Sequence, residues 1–247
     1  MTGSEGAVIL PPVDPALKTL TYRFLMQDGR HREFTVRLNF PSMSLVTAAR
    51  EEFPEWTKLE FQQCPNCPLK PANSPRCPVA VSLIDLMDLF KDCLSTEPAE
   101  VIIAGAEREI RKTMSLQDGL SSLMGLYMAT SGCPVLDKLR PMVYTHLPFS
   151  NLHETMYRAL SMYLVAQLLR HKRGKTADWD LKDLMKIYDE INVVNRAFIR
   201  RLHSIAEKDA SLNALVKLDC LAGFGKFQLT HNYFQKLEET FAPYLDD

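Results

Sequence analysis

Between Pro148 and Pro243 the chain has no proline, and only Gly174, Gly223 and Gly225 interrupt that span. A stretch without residues that remove a backbone donor or loosen the backbone reads as helix. No apolar run approaches the ~20 residues of a transmembrane helix, which excludes a membrane span. The first residues, Met1 to Leu17, carry Pro11, Pro12 and Pro15 and only Ala7 to Leu10 as an apolar run. They lack the basic start and apolar centre of a secretory leader and read as a loose tail. Neither sign of charge is in excess: 29 Lys and Arg face 30 Asp and Glu, a net charge of -1. That balance argues against nucleic acid or an anionic membrane as partner. Six cysteines in 247 residues are too few for a secreted disulfide scaffold. The reading is therefore cytoplasmic, with closely spaced cysteines serving metal or redox chemistry.

Several familiar motifs are incomplete. His153-Glu154 begins like a zincin helix, but Tyr157 stands where the second histidine is needed. Gly174-Lys175-Thr176 ends like a P-loop, but Leu169 occupies the earlier glycine position. Gly119-Leu120-Ser121-Ser122-Leu123 misses the last glycine of a nucleophile elbow. Gln63 stands where a deaminase zinc motif has proline, and no H-x-E precedes it. Arg170-His171-Lys172-Arg173-Gly174-Lys175 is the densest basic cluster, and it suits a helix C-terminus.

The fold class that emerges is α+β: a small antiparallel sheet with a Cys-Pro loop, followed by an all-helical bundle. Thr21–Met26 and Glu33–Leu38 alternate around Asp28-Gly29, the signature of a hairpin. Trp56 to Phe61 alternates again, and Val101–Ile103 with Arg108–Thr113 suggests a second hairpin around Gly105. Apolar residues at 79, 83, 86, 87 and 90 have helical spacing. Ser115 with Asp118 resembles a capping box, so the chain divides into a tail (1–17), a β part with one helix (18–114) and a helical bundle (115–247), packed as one domain. Asn151 with Glu154 opens a helix to about Arg170, Asp178 opens another, and two shorter ones cover Leu212–Ala222 and His231–Phe241. Leu160 to Leu169 is apolar on most sides and reads as helical core.

Leu181, Leu184, Tyr188, Ile191, Asn195, Phe198, Leu202 and Ile205 form a heptad seam. The seam either packs inside its own bundle, which the apolar flanking helices favour, or makes a homodimer whose register Asn195 sets. Ser121, Gly125 and Ala129, with Gly119, Ser122 and Gly132 nearby, leave one helix face bare. Close helix packing is the commoner cause of such a face, and a ligand pocket near Arg140, Tyr144 and His146 is the other reading.

The densest chemistry lies between 65 and 78, where five of the fifteen prolines fall. Cys64-Pro65-Asn66-Cys67 is a C-x2-C pair that can bring two thiolates to one ion, and Cys77-Pro78 follows. Pro71 and Pro75 prevent a lasting helix or ladder between them, so something other than secondary structure must hold the segment, and a metal would do so. Cys133, in Thr130-Ser131-Gly132-Cys133-Pro134, is the candidate fourth ligand, with Cys93, His146 and His153 as rivals, while Cys220 reads as a small buried side chain. Free thiols in a proline-stiffened loop, with no cofactor, are the alternative. Thiolates suit zinc or an iron–sulfur cluster, and zinc leads because the ferredoxin run is absent. A thiol–disulfide active site does not fit, because the prolines forbid a helix opening at the first cysteine.

Cys64-Pro65-Asn66-Cys67-Pro68-Leu69, Cys77-Pro78-Val79-Ala80, Ala129-Thr130-Ser131-Gly132-Cys133-Pro134 and His146-Leu147-Pro148-Phe149 resemble the motifs of a bacterial family known as a domain of unknown function. The resemblance covers roughly Leu20 to Phe224 and implies bacterial origin and an α+β domain over nearly the whole chain, with no mechanism attached. The residues themselves therefore support three readings. The first is a cytoplasmic metal-binding protein, with Cys64, Cys67, Cys77 and Cys133 as ligands, acting in regulation or interaction. The second is an enzyme with a pocket between sheet and bundle near Cys133 and His146, and the third is a structural homodimer using the seam.

Overall fold

The computed structural model describes residues 16–228 and 231–245, so the tail read from the sequence lies outside it up to Pro15. Five strands, β1 (Leu17–Met26), β2 (His31–Asn39), β3 (Ser44–Leu45), β4 (Pro98–Ala104) and β5 (Glu109–Ser115), form one antiparallel sheet in the order β3-β2-β1-β4-β5. The first hairpin turns at Gly29, whose φ of +85° explains the glycine, and Asp28 Oδ1 accepts the Arg30 amide across the turn. Register places Tyr22 opposite Phe34 on one side and Ile103 on the other. Alternation then buries Tyr22, Phe24, Val36, Leu38, Val101 and Ile103 on one face and leaves Glu33, Thr35 and Arg37 in solvent on the other. On β5, Glu109, Arg111, Lys112 and Thr113 are exposed, three of them charged.

Two short helices precede β4, α1 (Pro78–Ser82) and α2 (Ile84–Phe90), separated at Leu83 where φ is -102° and ψ 1°. The one helix that the spacing at 79, 83, 86, 87 and 90 suggests is therefore broken in two at Leu83. Phe90 of α2 stands edge-on to Phe24, 5.1 Å between ring centroids, and stacks on Phe34 at 5.7 Å. Helix α3 (Leu116–Thr130) covers the rest of the buried face. Ser115 occupies its N-cap but its hydroxyl makes no cap hydrogen bond, so the capping box expected there is absent. The box expected at Asn151 is present: Asn151 Oδ1 accepts the Glu154 amide at 2.9 Å and Glu154 Oε2 accepts the Asn151 amide at 2.7 Å.

A 3-10 segment (Leu136–Val143) leads to α4 (Leu152–Lys172), α5 (Lys182–His203), α6 (Ala210–Gln228) and α7 (His231–Phe241), with a terminal 3-10 turn (Ala242–Tyr244). Helix α5 starts four residues after Asp178 because the Asp178 carboxylate turns to accept the Asp183 amide (2.7 Å) and the Tyr163 hydroxyl (2.7 Å). The seam is buried within the bundle, with Leu184, Tyr188, Ile191, Asn195, Phe198 and Leu202 inside and α6 packed between α5 and α3. Seam burial inside the chain is the reading the flanking helices favoured. Leu160 is buried, but Leu164, Val165, Leu168 and Leu169 are exposed, against the expectation of core. Helix α4 buries only the stripe of Met156, Ala159, Leu160, Tyr163 and Gln167.

Buried residues of the sheet and of the helices belong to one continuous core. Asp209 reinforces the junction by accepting the Ser95 amide and hydroxyl, both at 2.8 Å. The bare face of α3 serves close packing. A Cβ on Gly119 would lie 2.7 Å from Val101 Cγ2 and 3.0 Å from Phe24 Cε1, whereas one on Gly125 would sit 3.4 Å from the flexible end of Leu218. Gly119→Ala is therefore expected to lower unfolding free energy by about 1–3 kcal/mol through overpacking. Gly125→Ala should be neutral or stabilising by up to about 1 kcal/mol, and urea denaturation of the two variants side by side tests the difference.

Candidate functional site: a four-thiol cavity pinned by a buried arginine

The Cys-Pro segment follows a 3-10 turn at Glu55–Thr57 and not the strand expected at Trp56–Phe61. All that remains of β pairing is a bridge between Lys58 and Arg76, flanked by Leu59 N–H to Pro75 O (3.0 Å) and Cys77 N–H to Thr57 O (2.8 Å). Between these contacts the chain loops out, and Cys67 N–H closes a turn on Cys64 O at 3.0 Å. Prolines explain why the pairing goes no further, since they cannot donate to a ladder.

The loop is fastened by α5. Arg201 is 1% exposed, and its Nη1 donates to Trp56 O (2.6 Å) and Lys58 O (2.8 Å) while Nη2 donates to Leu59 O (3.3 Å). Its guanidinium also lies 5.7 Å from the Phe61 ring and 5.9 Å from the Phe198 ring. Asn66 Nδ2 adds a hydrogen bond to Glu190 O at 3.0 Å. Side-chain hydrogen bonds to and from helix α5 thus hold the segment together with packing, a means of fastening it that the sequence reading did not name beside a metal.

Cys64, Cys67, Cys77 and Cys133 all line one cavity of about 20 Å³, walled by Leu59, Leu69, Val79, Val135, Val194 and Phe198. Cys64 and Cys67 come from the loop, Cys77 from the N-cap of α1, and Cys133 from the turn after α3, where Gly132 takes φ +87°. All four are free thiols. Burial pushes the Cys64 thiol up to about 12, with the neighbouring cysteines adding to the shift and Arg201 opposing it. Burial likewise raises Cys77 and Cys133, but each is opposed by two backbone amides. The pattern repeats locally: Cys77-Pro78-Val79-Ala80 turns the Val79 and Ala80 amides to its sulfur, and Cys133-Pro134-Val135-Leu136 does so with Val135 and Leu136. Amides aimed at sulfur favour thiolate. Arg201 interacts electrostatically with Cys77, Cys64 and Cys67. No carboxylate pairs with it among the described residues. Also among the described residues, no group of three or more His, Cys, Asp or Glu side chains is arranged to hold a metal ion as it stands.

The rival ligands lie elsewhere. Cys93 is buried beneath Arg30, whose Nη1 is 3.7 Å from its sulfur, and His153 stacks on Tyr233 at 6.4 Å. Cys220 is exposed, not buried as its apolar helix suggested. His146 joins a buried chain in which Tyr22 Oη lies 2.5 Å from His146 Nε2 and 3.2 Å from Ser122 Oγ. Desolvation, assisted by the charges of Arg158 and Lys18, lowers His146 to about 3. His146 and Cys133 therefore occupy different surroundings. Arg201 escaped the sequence reading because Arg200-Arg201 offers two equivalent arginines. Its one signal was the i,i+3 spacing from Phe198 of the seam.

An antiparallel sheet with helices packed on its buried face, carrying a small cavity lined by four Cys-Pro-linked thiols, defines an α+β protein class. The chain belongs to the family described as Domain of unknown function (DUF6901), whose model matches residues 20–242. No curated protein and no solved structure matches it. No helix among the described residues is long and apolar enough to cross a membrane.

Two outcomes are expected. Arg201→Met leaves three inward carbonyls without their donor and should lower unfolding free energy by about 2–4 kcal/mol in urea denaturation. For His146, the unfolded ring takes a proton near its ordinary 6.5, whereas the folded ring refuses one until about 3. Stability linked to the neutral ring is complete above 6.5 and falls as pH drops through that window. His146→Gln should flatten the loss, read from urea midpoints over the same range.

Proposed function

We propose that the protein is a cytoplasmic metal-binding protein in which Cys64, Cys67, Cys77 and Cys133 hold one zinc ion, serving regulation or interaction. The observation that carries this reading is the convergence of four free cysteines from three separate segments on one cavity of about 20 Å³. A cavity of that size takes one water-sized body, which suits a single ion better than an iron–sulfur cluster. Ligation asks the four thiols to lose their protons and close on the ion. Four amides and the Arg201 guanidinium favour that charge, and Arg201 would offset part of the net negative charge of a tetrathiolate zinc. Bound zinc would supply a cross-link between the Cys-Pro loop, α1 and the end of α3. The chemistry is structural or sensory, since four protein ligands leave no open position for substrate.

Protein purified without oxygen is expected to carry about one zinc per chain by elemental analysis, with no visible colour. Cys64→Ser or Cys67→Ser should lose the metal, and zinc added to the metal-free protein should release protons. Brown absorbance would replace zinc with an iron–sulfur cluster. Protein with neither bound metal nor affinity for added zinc would overturn the reading.

A further inference from the structure

A second and much larger opening lies away from the thiol cavity, between the β2–β3 turn, the 3-10 segment and α4, and encloses about 600 Å³. That volume falls within the roughly 300–1,000 Å³ of small-molecule sites. Its walls are apolar and adaptable: Met43, Met142, Met162 and Val165 contribute, and Val165 is 56% exposed within it. Met43 is held at φ +57°, a left-handed conformation that a methionine rarely adopts. Val165 belongs to the part of α4 that the core does not cover.

Arg158 also lines this groove. Its Nη2 donates to Met142 O at 2.7 Å, its buried Nε finds no acceptor, and no carboxylate forms an ion pair with it among the described residues. Glu154, the acid that acts on it through space, is committed to the Asn151 cap. The other nearby cations are already engaged: Arg140 pairs with Asp137 at 3.4 Å, and Lys18 Nζ donates to Tyr144 O at 2.7 Å. Burial holds the Arg158 guanidinium below the usual arginine value, outweighing the opposing through-space effects of Tyr188 and Glu154. A groove with a methionine wall and one unanswered guanidinium matches a ligand with one negative charge and an apolar body.

We propose that this groove binds an amphiphilic carboxylate, its carboxylate on Arg158 and its apolar body along Met142, Met162 and Val165. Isothermal titration calorimetry of the full chain with octanoate, octanol, octylamine and octyl phosphate tests it. Octanoate should bind at least about tenfold more tightly than octanol or octylamine, in keeping with a charge-assisted hydrogen bond in a partly dry site. Arg158→Gln should remove that preference while leaving the weak binding of octanol unchanged. Met162→Trp, which fills the groove and keeps Arg158, should abolish octanoate binding, and circular dichroism verifies that both variants are folded. Equal affinity for octanoate and octanol, binding indifferent to either substitution, no binding at all, or a preference for octyl phosphate with octanoate excluded would each overturn the assignment.

Discussion

One guanidinium determines how the Cys-Pro segment meets the rest of the chain. Arg201 leaves the interior of α5 and satisfies three carbonyls at Trp56, Lys58 and Leu59, where prolines have stripped the loop of the donors a strand would supply. Buried backbone acceptors demand partners, and a five-donor side chain is the most economical way to supply several at once. The positive charge has then been carried into an apolar region with no carboxylate beside it among the described residues. The titratable groups that act on it there are the thiols of Cys77, Cys64 and Cys67.

That placement couples structure to chemistry. As neutral thiols, the four cysteines sit comfortably among Leu59, Val194 and Phe198, and burial opposes ionisation of Cys64, Cys77 and Cys133. As thiolates they would answer the charge of Arg201 and the four amides of the two Cys-Pro-Val turns. Anything that drew protons from these sulfurs would therefore act on the same loop that Arg201 fastens.

What the sequence disclosed follows the range of the forces involved. The hairpin at Asp28-Gly29, the Asn151 cap and the seam of α5 depend on neighbours a few residues apart, and all three were legible. Cys64, Cys67, Cys77 and Cys133 were gathered from spacing and their shared Cys-Pro steps, and they do line one cavity. The role of Arg201 was hidden, because a partner more than 140 residues away decides which of two adjacent arginines turns inward. The strand expected at Trp56–Phe61 failed for the related reason that alternation cannot form a ladder when Pro65, Pro68, Pro71 and Pro75 deny it a partner. Leu164 to Leu169 looked like core because apolarity alone does not say which flank of a helix its neighbours reach.

The two margins of the sheet carry a consequence for assembly. On one side β3 is only two residues long, and on the other β5 shows Glu109, Arg111 and Lys112 to solvent. Short or charged margins discourage a second chain from adding its own strand. Strand addition is therefore disfavoured at the β5 margin, while on the helical side α4 leaves Leu164, Val165, Leu168 and Leu169 uncovered.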